Sequence, residues 1–358
     1  MSITQLPEKL RMILWVTVVS AAIGAVYAEF DVARYGLAHF AWYSAPRGAL
    51  TGALIASILT SLEVYLLWAA GSPLRRAPFP VHVAVKTLIY LIVIVFALSF
   101  SAWVFPAPNE EGVERGDVLF SLAASFVVVF ILAVNRLLGQ NMLLSFVTGR
   151  YHRPRLEERV LLFIDMEGST GLAERLGPLA FHRLLNRFVT DLTDPIVAAR
   201  GEIYSYVGDE LIATWKLEEG ISQARCVRAC FNAFDALARK ALEYRREFGA
   251  AVNFRAGLHC GPLVIGEMGS IKTEIVFLGD TVNTAARIQD VCRQTGDRIL
   301  ASADLIDRVQ LPPGIVKRSL GDLRLRGKGA DLVLYALSYA AEERSDQGGD
   351  RQPVRAAL

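Results

Sequence analysis

Two short stretches hold the residues best suited to chemistry: Phe163-Ile-Asp-Met-Glu-Gly-Ser-Thr170 and Tyr206-Val-Gly-Asp-Glu210. Each sets an acid at the edge of an apolar, strand-like run. An aspartate at a strand end, followed by a turn whose amides open a helix, can hold a cation and face a phosphate at once. Asp165 fits, with Met166-Glu-Gly168 as the turn and the Ser169 and Thr170 hydroxyls offered as helix caps. Asp209 follows Gly208 at a hairpin tip, where a small residue lets substrate approach. Two strands side by side put both carboxylates at one site. Two cations held there can activate a hydroxyl and neutralise a triphosphate. A lone strand-end aspartate often just caps a helix; the pair in these surroundings is the more specific signal.

Those acids need a frame, and the pattern after Val160 supplies one. Val160 to Ile164 is a short apolar run, as a central strand is. A helix pattern runs through Leu172, Leu176, Phe181, Leu184, Leu185, Phe188 and Leu192. Gly201 to Tyr206 and Leu211 to Trp215 read as a hairpin around Gly208-Asp209. A long helix is predicted from about Ile221 to Phe248. Phe254 to Cys260 is a strand, Gly261-Pro262 a turn, and Leu263 to Met268 a further strand. Glu274 to Leu278 follows as a strand and Thr281 to Cys292 as a helix. Late strands fall near Leu300, at Val316 to Leu320 and at Leu332 to Leu337. This alternation predicts a mixed α/β layer domain.

The N-terminal part is different. Hydrophobic residues make up 53% of the 358, and the excess lies ahead of Arg150. Four segments approach the ~20 apolar residues that a membrane span needs: Met12 to Ala28, Gly48 to Ala70, Val81 to Val104 and Val118 to Val134. No clean small-residue cleavage site follows the first, so it reads as an anchor rather than a signal peptide. Lys9 and Arg11 precede the first span, Arg75 and Arg76 fill the second turn, and Arg136, Arg150, Arg153 and Arg155 follow the fourth. The third-to-fourth loop carries Glu110, Glu111, Glu114 and Asp117 against Arg115 alone. This asymmetry predicts a four-helix transmembrane bundle over residues 1–136, multi-pass in the cell (inner) membrane, with both termini and the soluble half cytoplasmic. The loops are too short for an extracellular sensor domain, so any signal is read by the helices or by lipid. Glu63 and Lys86 each lie ~8–10 Å from the same membrane face at 1.5 Å of rise per residue, so adjacent antiparallel helices can pair them. The plainer reading is a snorkelling Lys86 and a Glu63 near headgroups.

Residues 137–158 read as a connector in which the fourth span continues as an amphipathic helix through Leu137, Leu138, Met142, Leu143 and Phe146, stopped by Gly149 and Pro154. Residues 342–358 are polar and read as a disordered tail. A net charge of +2 argues against a nucleic-acid partner. Cys226, Cys230, Cys260 and Cys292 fit no zinc or disulfide spacing and read as small buried apolar residues in a reducing compartment.

Over roughly Val160 to Ala336 the residues resemble the class III nucleotidyl cyclase catalytic domain. Phe163-Ile-Asp-Met-Glu-Gly-Ser-Thr170 looks like the family's first metal motif and Gly201-Glu-Ile-Tyr-Ser-Tyr-Val-Gly-Asp209 like the second. Arg255-Ala-Gly-Leu-His259, followed by Gly261, is similar to an internal strand. Leu278-Gly-Asp-Thr-Val-Asn-Thr-Ala-Ala-Arg287 looks like the transition-state motif, the most specific of the set. Leu325-Arg-Gly-Lys-Gly329 resembles a late phosphate-contacting turn.

The resemblance implies an α+β sandwich of ferredoxin-like kind over residues 159–341. It implies that Asp165, Asp209 and the Met166 carbonyl bind two Mg2+ or Mn2+ ions. Gly168, Ser169 and Thr170 would lie against the nucleotide. Asn283 would orient the ribose, Arg287 would stabilise the phosphate in flight, and Lys328 (or Arg326) would hold the terminal phosphates. Metal residues and the Asn283/Arg287 pair would come from opposite subunits, so a homodimer makes two sites. The implied reaction converts ATP to 3′,5′-cyclic AMP and pyrophosphate.

Two positions depart from the pattern. Adenylyl cyclases usually carry Lys where Ser205 stands and Asp or Thr where Val276 stands; guanylyl cyclases typically use Glu and Cys there. Ser205 can still donate a hydrogen bond to a base and Val276 cannot, so these two positions discriminate weakly between ATP and GTP. The alternatives are therefore a cyclase of GTP or of relaxed specificity, and an inactive pseudo-cyclase serving as a membrane receptor or interaction module. Val207-Gly-Asp-Glu-Leu211 also echoes a diguanylate cyclase signature, but Asn283 to Arg287 has no place in that family. The spans show no internal repeat, which argues against a transporter.

Overall fold

The computed structural model describes residues 8–34, 43–63, 79–106, 115–138, 149–271, 273–323 and 332–340. The chain divides into two compact units, Met1–Leu137 and Leu138–Leu358.

The first unit contains helices α1 (Glu8–Arg34), α2 (Ser44–Ser61), α3 (Phe79–Val104) and α4 (Arg115–Leu138). Gly24, Gly48 and Gly52 bring the backbones of α1 and α2 into close approach; a β-carbon at Gly52 would collide with the Ser20 carbonyl. Small residues are the usual means of packing helices this tightly. Ile55 and Leu59 of α2 bury against Ile94, Ala97 and Leu98 of α3. Among the described residues two helices are long and apolar enough to cross a membrane, over Leu10–Phe30 and Val85–Val104. The expected second and fourth spans fall at α2 and α4, which do not reach that standard; residues 64–70 of the second lie outside the described residues. Glu63 is fully buried. It accepts from Lys86 Nζ at 2.7 and 2.9 Å and from the Tyr90 hydroxyl. The two helices thus pair the ionisable residues that the spacing put at one depth.

The second unit is built on an eight-stranded mixed sheet. Its strands are β1 (Arg155–Met166), β2 (Glu202–Val207), β3 (Glu210–Lys216), β4 (Phe254–Met268), β5 (Glu274–Leu278), β6 (Ile299–Ser302), β7 (Ile315–Leu323) and β8 (Leu332–Tyr339). The order is β2-β3-β1-β4-β6-β8-β7, with β5 also on β4. Only β4 and β6 run parallel among these pairs. The helices are α5 (Ser169–Leu176), α6 (Pro178–Ala198), α7 (Leu217–Ile221), α8 (Arg225–Phe248), α9 (Asp280–Thr295) and α10 (Ala303–Ile306).

Both faces of β1 are covered, which is why Val160 to Ile164 is apolar without alternation. Val160, Leu162 and Ile164 pack with Leu184, Phe188 and Leu192 of α6 and with Val227 and Phe231 of α8. Leu161 and Phe163 pack on the other face with Ile212, Leu263, Ile265 and Ala285 of α9. The four cysteines are free and buried.

Four local expectations are corrected. The helical pattern from Leu172 to Leu192 is two helices, because Gly177 turns the chain at φ 72° and Pro178 starts α6. The helix predicted from Ile221 begins instead at Arg225, after Gln223 and Ala224 adopt positive φ. Gly261-Pro262 is no turn: β4 runs straight through it, with Pro262 opposite Glu158 of β1. The far edge of β4 is unpaired there, between β6 at Leu258 and β5 at Val264. A proline without an N–H fits a strand at such a place. Finally, the C-terminal end of the connector is turn and strand rather than helix, because Arg155–Glu158 pair with Pro262–Ile265. Connector residues 139–148 and the tail from 341 lie outside the described residues.

Candidate metal and nucleotide site

Asp165 is the penultimate residue of β1 and sits opposite Glu210 in the ladder with β3. The β2–β3 hairpin turns through Gly208 at φ 64°, a left-handed conformation that glycine adopts without strain. That turn brings Asp209 beside Asp165, near enough for its charge to push the Asp165 pKa up. The two expected metal acids therefore meet.

The surroundings are short of positive charge. Burial raises the Asp165 pKa; Arg293 pulls it down and Asp209 pushes it further up, with a net rise. Glu210 is pushed up to about 7, first by burial and then by Asp165, Asp290 and Asp209. Its Oε1 is buried without a hydrogen-bond partner. A counter-charge comes from Arg293 of α9, whose Nη2 donates to Asp165 Oδ2 at 2.6 Å. Like charges crowded this way favour a bound cation. Among the described residues no three carboxylate, histidine or cysteine side chains are arranged to hold one metal ion between them. A pair of carboxylates that leaves the remaining positions to backbone, water and phosphate is the donor set Mg2+ takes in phosphoryl-transfer sites.

Gly168 itself is the N-cap of α5, at φ 67° and with no side-chain cap bond. Ser169 and Thr170 are first-turn residues, so the expectation of hydroxyl caps is corrected; the left-handed glycine ends the preceding turn instead. Ser205 follows a bulge in β2 between Ile203 and Ser205 and lies opposite Ile212. Val276 lies opposite Gly266 on β5. Their neighbours Tyr204 and Phe277 stack with centroids 4.1 Å apart, so the two strands that carry Ser205 and Val276 touch.

Asn283 is exposed and Arg287 half-buried, four residues apart on α9. Arg293, which reaches Asp165, is ten residues beyond Asn283. That is ~15 Å along the helix axis, and Arg287 stands ~9 Å back on a different face. One chain therefore gathers Asp165 and Asp209 but holds Asn283 and Arg287 apart from Arg293's end of the helix. Lys328 and Arg326 lie outside the described residues. Arg293 and Glu210 went unnoticed in the sequence. Glu210 was signalled by adjacency to Asp209, whereas only the packing of α9 across β1 reveals Arg293.

The arrangement defines a class. The profile of the Adenylate and Guanylate cyclase catalytic domain matches residues 152–338, and the chain belongs to that family. It is 32% identical over 345 residues to Adenylate cyclase 2 of Rhizobium meliloti (strain 1021), covering 91% of this chain and 95% of that one. It is 25% identical over 180 residues to an adenylate cyclase of Anabaena cylindrica, covering 49% of this chain and 36% of that one. A bacterial light-regulated adenylyl cyclase of known structure shares the fold, with a TM-score of 0.54 at 21% identity, over 64% of this chain and 67% of that one.

Proposed function

We propose that the protein is a membrane-anchored cyclase that converts ATP to 3′,5′-cyclic AMP and pyrophosphate at the interface of a homodimer. One observation carries this reading: Asp165 and Asp209 converge beside Arg293, while Asn283 lies ~15 Å of helix rise from that arginine. A second copy can bring its own Asn283 and Arg287 to the acids. The membrane part rests on the two helices long and apolar enough to cross a membrane, over Leu10–Phe30 and Val85–Val104. The arginine and lysine distribution supports a cytoplasmic location for both termini and the catalytic domain.

Asp165, Asp209 and the Met166 carbonyl would hold two Mg2+ or Mn2+ ions. Bound there, the ions would supply charge neutralisation of the triphosphate and acidify the ribose hydroxyl. The chain's own groups do the rest. Asn283 orients the ribose so that its 3′ oxygen faces the α-phosphorus. That oxygen loses its proton to solvent and forms the new O–P bond as the bond to pyrophosphate breaks. Arg287 stabilises the charge on the α-phosphoryl oxygens, and Lys328 holds the departing phosphates. The backbone at Gly168, Ser169 and Thr170 lies against the nucleotide at the start of α5.

Val276 favours a second reading of the base. It offers no hydrogen bond, so GTP is accepted or the preference is relaxed. Incubating the purified full chain with ATP or GTP and Mn2+ and identifying the product decides between them. No cyclic product from either, in intact dimer, refutes turnover and leaves a receptor or interaction module. A split site has its own signature. Asp165→Ala and Arg287→Ala chains are each inactive, yet mixed they recover about a quarter of wild-type activity, since half of random dimers keep one of two symmetric sites. Absence of recovery rejects the split site.

A further inference from the structure

Arg159 is a buried cation on β1, 2% exposed, with every arm of its guanidinium committed. Nε donates to Glu157 Oε2 at 3.0 Å. Nη1 donates to Glu202 Oε2 of β2 at 3.0 Å. Nη2 donates to the Tyr151 hydroxyl at 3.3 Å. The guanidinium carbon lies 5.9 Å from the Phe277 ring centroid of β5. Tyr151 in turn donates to Glu157 Oε1 at 3.2 Å. Burial alone lowers the arginine pKa, but Glu202 and Glu157 outweigh it and hold the group above its ordinary value. It stays charged.

A buried ion network of this kind is weak evidence of stability, because desolvation offsets the attraction. It does impose geometry. Arg159 fixes β2 through Glu202 and faces β5 through Phe277. Phe277 stacks on Tyr204, and its amide donates to the Tyr204 hydroxyl at 3.1 Å. Tyr204 precedes Ser205 and Phe277 follows Val276. The bulge in β2 between Ile203 and Ser205 sits at the same point, and bulges near active sites re-aim side chains.

The geometry points to Arg159 as a positioning residue for nucleotide selection: it clamps β2 and β5 together so that Ser205 and Val276 are presented to one base. Tyr151, at the end of the connector, is the clamp's third handle. This rests on the reading of Ser205 and Val276 as base-facing. Arg159 touches no substrate, so its removal acts on nucleotide affinity before it acts on the phosphate chemistry of Asp165, Asp209 and Arg287.

The test compares Arg159→Lys with wild type in the full chain. Lysine keeps the charge and loses the fork that holds Glu202 and Tyr151 together. Three quantities are read: the KM for ATP and for GTP, kcat, and the dissociation constant of a non-hydrolysable ATP analogue by calorimetry. The expected result is a KM and an analogue constant raised about tenfold, with kcat within about twofold, as for loss of uniform binding. The ATP:GTP ratio of kcat/KM moves toward unity. A lowered unfolding midpoint with unchanged KM, analogue affinity and base ratio makes Arg159 merely structural and overturns the proposal. If Arg159→Lys does not fold, Tyr151→Phe and Glu202→Leu each remove one arm and carry the same readouts. Wild-type turnover separates the two claims. An active wild type with a flat variant sinks only the clamp, whereas a wild type that neither cyclises nor binds nucleotide sinks the proposed function beneath it.

Discussion

Gly257 lies on β4 with helix α9 resting on it. A β-carbon at this position would stand 2.5 Å from the Gln289 amide nitrogen, 2.8 Å from the Ala285 carbonyl oxygen and 2.9 Å from Gln289 Cα. All three are helix backbone, which no rotamer change can move. Ordinary contact begins near 3.4 Å. Gly257→Ala therefore forces α9 away from the strand by about 0.5–0.9 Å, since a close-packed interior leaves no slack. Overpacking of this size costs about 1–3 kcal/mol, or roughly 2–12 °C in the unfolding midpoint of a domain of this length. Turnover suffers more. Asn283 and Arg287 ride on α9, and displacing a positioned group by 1 Å costs on the order of 10²-fold in rate. Steady-state turnover of the full chain with Mn2+ and ATP, measured beside thermal unfolding, reads both effects. Gly249→Ala is the control: it sits at φ 71° with nothing within 4 Å. It loses about 1 kcal/mol to the left-handed conformation and keeps its rate. If Gly257→Ala unfolds with wild type and turns over within about threefold of it, α9 does not depend on the bare strand and the reasoning fails.

Three further outcomes are expected. The raised pKa of Glu210, about 7 against an ordinary 4.5, means that the folded chain holds its proton more tightly than the unfolded chain. That contribution is full below 4.5 and is lost as pH rises through about 7, with Asp165 shifted in the same direction. In metal-free buffer the wild-type midpoint therefore falls over this range more than that of Glu210→Gln; parallel curves place the loss in another group. In the first unit, Lys86→Met leaves Glu63 buried without its cation and destabilises by about 3–5 kcal/mol, whereas adding Glu63→Leu restores much of it. A double variant no better than the single one argues that the pair does not interact. Burial pushes the Cys226 and Cys292 thiols up to about 12 and Cys260 up to about 11, so iodoacetamide at neutral pH should label none of the four cysteines until the chain is denatured. Mass spectrometry of native and denatured samples counts the adducts.

The acids of the site were legible because local chemistry determines their setting. Asp165 ends an apolar run that had to be a central strand, and Gly208-Asp209 sits between two strand-like runs with room only for a tight turn. Helical rise put Glu63 and Lys86 at one depth, which allowed the pair but also a snorkelling Lys86; the contact itself shows only in the packed helices. What could not be read depended on contacts remote in sequence. Gly261-Pro262 carries a turn signal as strong as that of Gly177-Pro178, yet pairing with Arg159 and Glu158 keeps it extended. Arg293 and Arg159 look like solvated charges in sequence; one reaches a carboxylate 128 residues away, and the other is sealed under a tyrosine and a phenylalanine. The split of Leu172 to Leu192 was signalled by Gly177-Pro178 and was outweighed by an uninterrupted apolar period. Ser169 and Thr170 gave a false capping signal because Gly168 had already turned the chain.

Strand β4 also sets where this gene can gain or lose codons. It faces β1 over twelve positions, carries β5 and β6 on its other edge, and lies under α9. Side chains alternate with period two, so a single inserted residue would reverse every one beyond it. The bare site at Gly257 would move out from under α9, and the partners of β5 would shift against Val276. Four residues after the ladder with β1 ends, and just past the last β4–β5 pair at Met268, the exposed Gly269–Ile271 turn lies outside every ladder. A transposon scan should find an abrupt edge there: no in-frame insertion survives within β4, and a short linker or a whole reporter domain is accepted at the turn.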